Sequence, residues 1–422
     1  MADHDGPPGR VVVVGAGLAG VTFCDRLRAG GYGGRLVLIG AEEHLPYDRP
    51  PLSKELLQGK TSAAEVLLRP EQWYAGSGIE LRLGSSVERV DTAAGAVLLD
   101  GGLVEPADVV VLATGGVPRA LPVPGAGHPA VQTLRTLADA EQLRDRLTGG
   151  CRLGVIGAGL IGAEVTASAV ALGCEVTLID PGERPIEGVV GARVAAALQA
   201  QHRDNGVRLV RGTVTTVTTS PGGGVRLEVR GATGDPAGAG DPAGAVECDV
   251  AVVGTGIEPE LSLAATAGLA VSGGVLVDFA QRTSCPSVFA VGDIARRVGP
   301  AGPQRRLEHW DSAQQQGGAA AAGVLGLPLP AERAPWFWSE RYGTSLEVVG
   351  RFTDAEAVAW RGQPGAGPFS AVGVRAGRCV GAVAVDRPAD IGAARRLIDR
   401  DRPVEVDVLA DESVPLRALL RG

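Results

Sequence analysis

Val11 to Val14 form an unbroken β-branched run between Arg10 and Gly15. A strand with one wet face alternates apolar and polar residues, so a continuous run predicts a strand buried on both faces of a parallel sheet. Arg35 to Ile39 predicts a second strand of this kind, closing at Gly40-Ala41-Glu42. Between the two strands, Gly15, Gly17 and Gly20 stand at G-x-G-x-x-G spacing. The first glycine permits a tight turn, the second leaves room for a pyrophosphate against backbone, and the third lets the next helix pack close to the strand. That helix aims its N-terminus at the phosphates. Glu42 then stands where a carboxylate meets a ribose.

The same pattern recurs once. Strand Leu153 to Ile156 is followed by Gly157, Gly159 and Gly162, and the next strand ends at Asp180. An isolated glycine fingerprint can be a mere tight turn, but two complete strand, turn, helix, strand, acid units predict two dinucleotide sites in one chain. One reason to hold two dinucleotides is to pass a hydride between them.

Other patterns fill in the frame. IELRLGSSVERVDTAAGAVLLDGG predicts a β-meander, and Val109 to Ala113 a buried strand ending at Thr114-Gly115-Gly116. A matching strand ends at Gly254-Thr255-Gly256. Val288 to Val291 delivers Gly292-Asp293 at a strand's C-terminal end, where open α/β sheets bind ligands. EHWDSAQQQGGAAAAGVLG predicts an Ala-rich helix, and SAVGVRAGRCVGAVAVDRPADIGAARRLIDR a hairpin followed by a helix. Prolines 46, 50 and 51 stop any helix until Leu52 to Leu57. Two tandem copies of GDPAGA, residues 234–245, predict a flexible surface loop between strands.

Composition narrows the chemistry. A chain of 422 residues exceeds one core. Its net charge of −8 argues against nucleic acid, which demands a basic surface. No membrane span or basic leader stands in the sequence, so a cytoplasmic setting is expected. Six scattered cysteines and five scattered histidines show no metal-ligand spacing, and no metal is expected. Only Lys54 and Lys60 are lysines among 40 basic residues, so Lys54 marks a place where a compact ammonium is wanted. Beyond residue 330 the composition shifts. Trp336, Phe337, Trp338 and Tyr342 fall within seven residues, and residues 331–422 hold 13 arginines against 13 acids.

PYDRPPLSK, GAGLIGAEV, VFAVGDIA, EHWDSAQQQG and PWFWSERYG, in this order, resemble the FAD-dependent NADH:ferredoxin reductases of bacterial oxygenase systems, the putidaredoxin reductase and rhodocoxin reductase group. The resemblance runs from VVVVGAGLAG to ESVPLRALL. It implies an α/β protein with two Rossmann-like dinucleotide-binding domains of the glutathione-reductase type and a small α+β C-terminal domain. The expected boundaries are 1–118 with 251–327 for FAD, 119–250 for NAD, and 328–422 for the flavin edge and ferredoxin docking.

Carried over by position, the resemblance implies that Gly15, Gly17, Gly20 and Glu42 hold the ADP half of FAD. Arg49, Lys54, Thr114, Gly115, Arg119 and Asp293 would line the remainder, with Trp310 and Trp338 bordering the flavin. Gly157, Gly159, Leu160, Ile161, Gly162 and Asp180 would hold NADH. Lys54, Glu164 and Trp338 are the expected catalytic residues, with Lys54 and Glu164 a candidate ion pair. The implied acceptor is a [2Fe–2S] ferredoxin, with Arg305, Arg306, Arg341, Arg375 and Arg378 as candidate docking residues. Two departures stand out: the common WSDQYG is here WSERYG, with Glu340 and Arg341, and an arginine frequent after PLE is here Gly188.

Three rivals share parts of this pattern. A thiol or disulfide reductase needs a cysteine pair in the first helix or a cysteine after the first ribose acid; the helix has only Cys24 and HLPYDRPPLSK has none. An NADH-sensing flavoprotein resembling apoptosis-inducing factor would signal through its reduced complex. A monodehydroascorbate reductase would pass its electrons to a small radical instead.

Overall fold

A computed structural model describes residues 7–231 and 244–421. The tandem GDPAGA copies lie almost wholly outside the described residues, but the strands on either side of them, Val225–Gly231 and Ala245–Cys248, pair antiparallel. Chain contacts divide the protein into two compact units, residues 1–48, 63–117 and 258–335 in one and 49–62, 118–257 and 336–422 in the other.

In the first unit a five-stranded parallel sheet runs in the order Val288–Ala290, Val109–Leu112, Arg10–Val14, Arg35–Ile39, Ile79–Arg82. Its central strand explains its own sequence. Val11 and Val13 face a core with Phe23 and Leu27 of helix Leu18–Ala29, while Val12 and Val14 face a second core with Val90, Val97 and Leu99 of the meander. Neither face meets water, so neither tolerates a polar residue. The Ala-rich stretch forms helix Trp310–Leu325 and lies against helix Leu18–Ala29. A Cβ on Gly317 would stand only 2.9 Å from the Ala19 carbonyl oxygen, so a small residue is what allows this approach.

In the second unit, parallel strands Arg208–Thr219, Glu175–Asp180, Arg152–Ile156, Val250–Val253 and Val131–Gln132 lie side by side, extended antiparallel by Val225–Gly231 and Ala245–Cys248. Strand Val250–Val253 pairs with Arg152–Ile156, so the chain leaves this unit after Ile257 and not at the boundary of 250 and 251 drawn from sequence. The apolar strand there is equally suited to either parallel sheet, and sequence pattern alone does not choose between them. Residues 52–57 also differ from expectation. Only a 3-10 turn forms there, Pro50–Ser53, with the two prolines at its start, and residues 54–59 continue as turns.

The second unit also holds a five-stranded antiparallel sheet in the order Trp336–Arg341, Thr344–Gly350, Arg378–Val385, Phe369–Arg375, Ala357–Arg361. One face, with Phe337, Leu346, Val348 and Val383, packs on Val190, Val194 and Leu198 from helices Glu187–Val190 and Ala192–Asp204. Helix Pro388–Asp399 packs on strands Arg378–Val385 and Thr344–Gly350 through Ile391, Ala394 and Leu397. Among the described residues no helix is long and apolar enough to cross a membrane.

Within this unit His202 is buried, and its Nδ1 stands 2.7 Å from the Tyr342 hydroxyl. Burial, helped by the nearby Arg341 charge, pulls its pKa down from 6.5 to about 3. The folded chain therefore refuses a proton that the unfolded chain accepts below pH 6.5. Stability from this group is complete above pH 6.5 and is lost as pH falls toward 3, by up to about 1.4 kcal/mol per unit. In urea unfolding at pH 7.5 and pH 5, His202→Gln should show a stability difference between the two pH values smaller than the wild type's by about 2 kcal/mol. An unchanged difference would place the acid sensitivity elsewhere.

Candidate functional site

The two glycine turns repeat one another in detail. Gly15 has φ +114° and donates its N–H to the Ile39 carbonyl at 2.8 Å; Gly157 has φ +102° and donates to Ile179 at 2.8 Å. Positive φ of this size suits glycine alone. A Cβ on Gly20 would run into the Gly15 carbonyl, and one on Gly162 into the Gly157 carbonyl. By contrast, a Cβ on Gly17 would meet nothing within 4 Å, and one on Gly159 only the Gly254 carbonyl, at 3.9 Å. The middle glycine of each turn thus leaves open space above backbone. Helices Leu18–Ala29 and Leu160–Ala171 start there without a side-chain cap, leaving their first N–H groups for an anion. Leu160 and Ile161 form the first turn of the second helix, with Ile161 exposed.

Around the first turn, Glu42 accepts the Tyr47 hydroxyl at 2.6 Å, Gly115 has φ +69°, and the Thr114 hydroxyl is buried with no partner among the described residues. Asp293 sits in a turn just past strand Val288–Ala290, with the Gly292 N–H donated to Gln316 Oε1 at 2.7 Å. The Trp310 indole N–H donates to Asp48 Oδ1 at 2.8 Å and fixes the ring. An orphaned hydroxyl, an open glycine turn and a strand-end carboxylate fit a dinucleotide with a polar chain. Arg49 and Arg119, expected beside the same cofactor, belong to the second unit.

Around the second turn, Asp180 accepts the Ala158 N–H at 2.8 Å through Oδ2 and the Gly182 N–H at 2.7 Å through Oδ1. A carboxylate offers about four lone-pair sites, so two backbone donors orient it and leave capacity for a ribose diol. Arg184 Nε donates to Glu187 Oε2 at 2.6 Å, and its Nη1 stands 3.7 Å from Glu183.

Sequence also expects an ion pair, and the structure brings its members together. Glu164, in helix Leu160–Ala171, is 4% exposed, and Lys54 Nζ stands 3.7 Å from its Oε2. Lys54 also lies 5.8 Å from the Trp338 ring centroid. Three further donors reach Glu164: the Ser53 hydroxyl, the Ser339 hydroxyl at 2.8 Å and the Glu340 N–H at 3.3 Å. The two serines carry no signal of their own in the sequence. Ser53 merely precedes Lys54, and Ser339 is legible only as an inward position of an alternating strand. Trp338 stacks on Trp336 with centroids 4.9 Å apart, so only Phe337 of this aromatic trio faces the sheet's core.

Arg341 is misread from sequence as a docking residue. It is 4% exposed, on the inward side of strand Trp336–Arg341, and its Nε and Nη2 find no acceptor among the described residues. Burial pushes its pKa down while the Glu164 charge pushes it back up. Three of the other candidates are ion-paired: Arg375 to Glu356 and Arg378 to Asp401 at the surface, and the largely buried Arg306 to Glu308.

All six cysteines are free thiols, and five are buried. Burial pushes Cys24, Cys248 and Cys379 up, the last two to about 12, so these three are not ready thiolates, whereas the hydrogen bond with Cys174 pulls Cys151 down.

Residues 9–317 match the pyridine nucleotide-disulphide oxidoreductase family, and residues 336–420 match the reductase C-terminal family. The chain belongs to the pyridine nucleotide-disulphide oxidoreductases. Among them it is 38% identical over 412 residues to the ferredoxin–NAD(+) reductase component of the anthranilate 1,2-dioxygenase system of Burkholderia cepacia, covering 97% of this chain and 98% of that one. It is 36% identical to putidaredoxin reductase of Pseudomonas putida, covering 97% and 96%. The reductase in the crystal structure of the covalent putidaredoxin reductase–putidaredoxin complex aligns with a TM-score of 0.90 at 34% identity, over 97% of each chain. The ferredoxin reductase for the CYP199A2 system from Rhodopseudomonas palustris aligns equally well, at 33% identity over 97% and 99%.

Removing the Lys54 ammonium strands a buried carboxylate, a change that typically costs about 3–5 kcal/mol. Lys54→Met should therefore lower the unfolding midpoint sharply. Adding Glu164→Leu should recover much of that loss without restoring flavin reduction by NADH. Equal stability of Lys54→Met and the wild type would mean the pair carries no weight in the fold.

Proposed function

We propose that this chain takes hydride from NADH onto FAD and passes single electrons to a [2Fe–2S] ferredoxin that serves an oxygenase, in the cytoplasm. The observation that carries this reading is the duplicated glycine turn in a chain with no cysteine pair in the first helix and no cysteine after the first ribose acid. Two dinucleotides can be held, and the electrons leave by a route other than a thiol. The relatives named above, ferredoxin reductases of oxygenase systems, support the same acceptor class.

In this reading Gly15, Gly17, Gly20, Glu42, Thr114, Gly115, Trp310 and Asp293 hold FAD, completed by Arg49, Lys54 and Arg119. Gly157, Gly159, Leu160, Ile161, Gly162 and Asp180 hold NADH. Bound FAD supplies the change from two-electron to one-electron chemistry. Lys54 and Glu164 supply a buried, charged wall for the hydride donor, with Ser53 and Ser339 holding the carboxylate still. Trp338 presents its ring to the Lys54 ammonium and offers an aromatic edge. The domain reading follows: residues 1–118 with the return segment bind FAD, the central segment to 257 binds NADH, and the C-terminal sheet carries Trp338. The monodehydroascorbate-reductase and apoptosis-inducing-factor readings gain no specific support from the site.

The purified chain should carry one non-covalent FAD, identified by chromatography after heat release; FMN, or no flavin after reconstitution, would end this reading. NADH should reduce that flavin about a hundredfold more efficiently than NADPH, since Asp180 repels a 2′-phosphate. Arg184, the cation nearest in sequence that could blunt this preference, is engaged by Glu187 and Glu183. Equal efficiency with both nucleotides in stopped-flow reduction would refute the role given to Asp180.

A further inference from the structure

The hydride route uses none of the cysteines, yet two of them stand together. Cys151 immediately precedes strand Arg152–Ile156, and Cys174 immediately precedes strand Glu175–Asp180. These strands pair in parallel with Arg152 opposite Glu175. Backbone bonds carry the match one step further: the Glu175 N–H donates to the Cys151 carbonyl and the Gly150 N–H to the Gly173 carbonyl, each at 2.9 Å. Cys151 therefore stands opposite Cys174. Residues opposite one another on neighbouring strands point to the same face at a spacing of ~4.8 Å, inside the Cα separation of about 4.4–6.8 Å that a disulfide spans. Both side chains do enter one core, with Leu143, Leu147 and Val250. Cys248, on a neighbouring strand, enters the opposite core with Val225 and Leu227.

The thiols also differ in character. Cys174 donates a hydrogen bond to Cys151, which pulls Cys151 below the ordinary thiol range while Cys174 keeps its proton. The Cys174 Sγ lies 3.6 Å from the Thr148 carbonyl as a second acceptor. An attacking sulfur of lowered pKa beside a protonated resolving thiol is the arrangement in which a sensor disulfide forms. Access comes from one edge. Thr148, Gly149, Gly150 and Gly173 are exposed, and Cys151 and Cys174 are 8% and 9% exposed, against 0% for Cys24 and 1% for Cys248.

The pair stands apart from the dinucleotide turn. Gly157 follows the far end of the five-residue strand that Cys151 precedes, a separation of ~16 Å.

We propose that Cys151 and Cys174 form a peroxide-sensitive dithiol that closes reversibly to a disulfide across the two strands. The Cys151 sulfur attacks hydrogen peroxide, the O–O bond breaks, and the thiol proton leaves with the departing oxygen as water. The Cys174 sulfur then attacks the resulting sulfenic acid; the S–O bond breaks as the S–S bond forms, and the Cys174 proton leaves with the hydroxyl as a second water. Two thiols lose two electrons, and one peroxide becomes two waters. A small thiol reverses the step by exchange. The bond encloses residues 151–174, and with them the second glycine turn and helix Leu160–Ala171, so oxidation cross-links the unit to which NADH is assigned.

The FAD-loaded full chain, treated with a small excess of hydrogen peroxide, alkylated and digested, is read by mass spectrometry. A cross-linked peptide holding Cys151 and Cys174 should appear, lighter than the two thiol peptides by two hydrogens, and should vanish after dithiothreitol. Oxidation should raise the thermal midpoint by about 3 °C or more, because the bond restricts the unfolded chain. Cys174→Ser should leave Cys151 as a sulfenic acid that dimedone captures and should abolish the shift. Cys248→Ser should change neither readout. Both thiols still open to alkylation after peroxide, or a bond from Cys151 to Cys248, would overturn the proposal, and a bond that lowers the midpoint would overturn the geometric fit. The wild-type peptide decides the matter even where a variant does not fold.

Discussion

The burial of Glu164 is the constraint on which the second unit's architecture depends. A lone carboxylate in an apolar interior is prohibitively unfavourable, and it persists only where donors surround it. Here the donors come from two distant stretches, Ser53 and Lys54 from the loop after the first ribose acid and Ser339 and the Glu340 N–H from the C-terminal sheet, and they meet on the helix that carries Glu164. The ion pair therefore does structural as well as electrostatic service. It explains why residues 49–62 and the C-terminal sheet cluster with the central segment and not with the stretches that flank them in sequence. A site whose charge balance is also a tertiary fastener cannot be loosened without shifting the edge strand that carries Trp338.

The glycine turns impose a different, local constraint. In each, the first glycine lies against the backbone that follows a neighbouring strand, at Ala113 in one case and Gly254 in the other, and the third glycine lies against the carbonyl of the first. These are contacts of backbone on backbone, where no rotamer can yield, so side chains larger than hydrogen are excluded. The second glycine is free of such contacts, which separates a packing requirement from a ligand requirement within one motif.

This difference governs how much was legible in the sequence. The buried strands, the duplicated glycine units and the Ala-rich helix were readable because each rests on a short pattern with one physical cause. Lys54 could be singled out because lysine is rare in this chain, and its pairing with Glu164 could be anticipated. The return point of the chain at 257 was not legible, since Val250–Val253 is apolar enough for either sheet. The serines around Glu164 were hidden because a serine at a buried, hydrogen-bonded position looks like any other serine. Arg341 was misplaced for the opposite reason: an arginine in sequence reads as surface, and only alternation along Trp336–Arg341 shows that positions 337, 339 and 341 point inward.

Arg341 also shows how a departure from the common pattern is accommodated. Where a neutral side chain is frequent, this protein buries a guanidinium with two N–H groups lacking acceptors. The nearest source of compensation is Glu164, already served by three neutral donors and Lys54, so the interior holds two cations around one carboxylate. Such an excess of buried positive charge is unfavourable in isolation. A negatively charged ligand nearby would offset it, because the long-range part of the interaction then has the favourable sign. The neighbouring His202 responds in the direction this predicts: facing Arg341 and shielded from water, it stays neutral far below its ordinary range and adds no third cation.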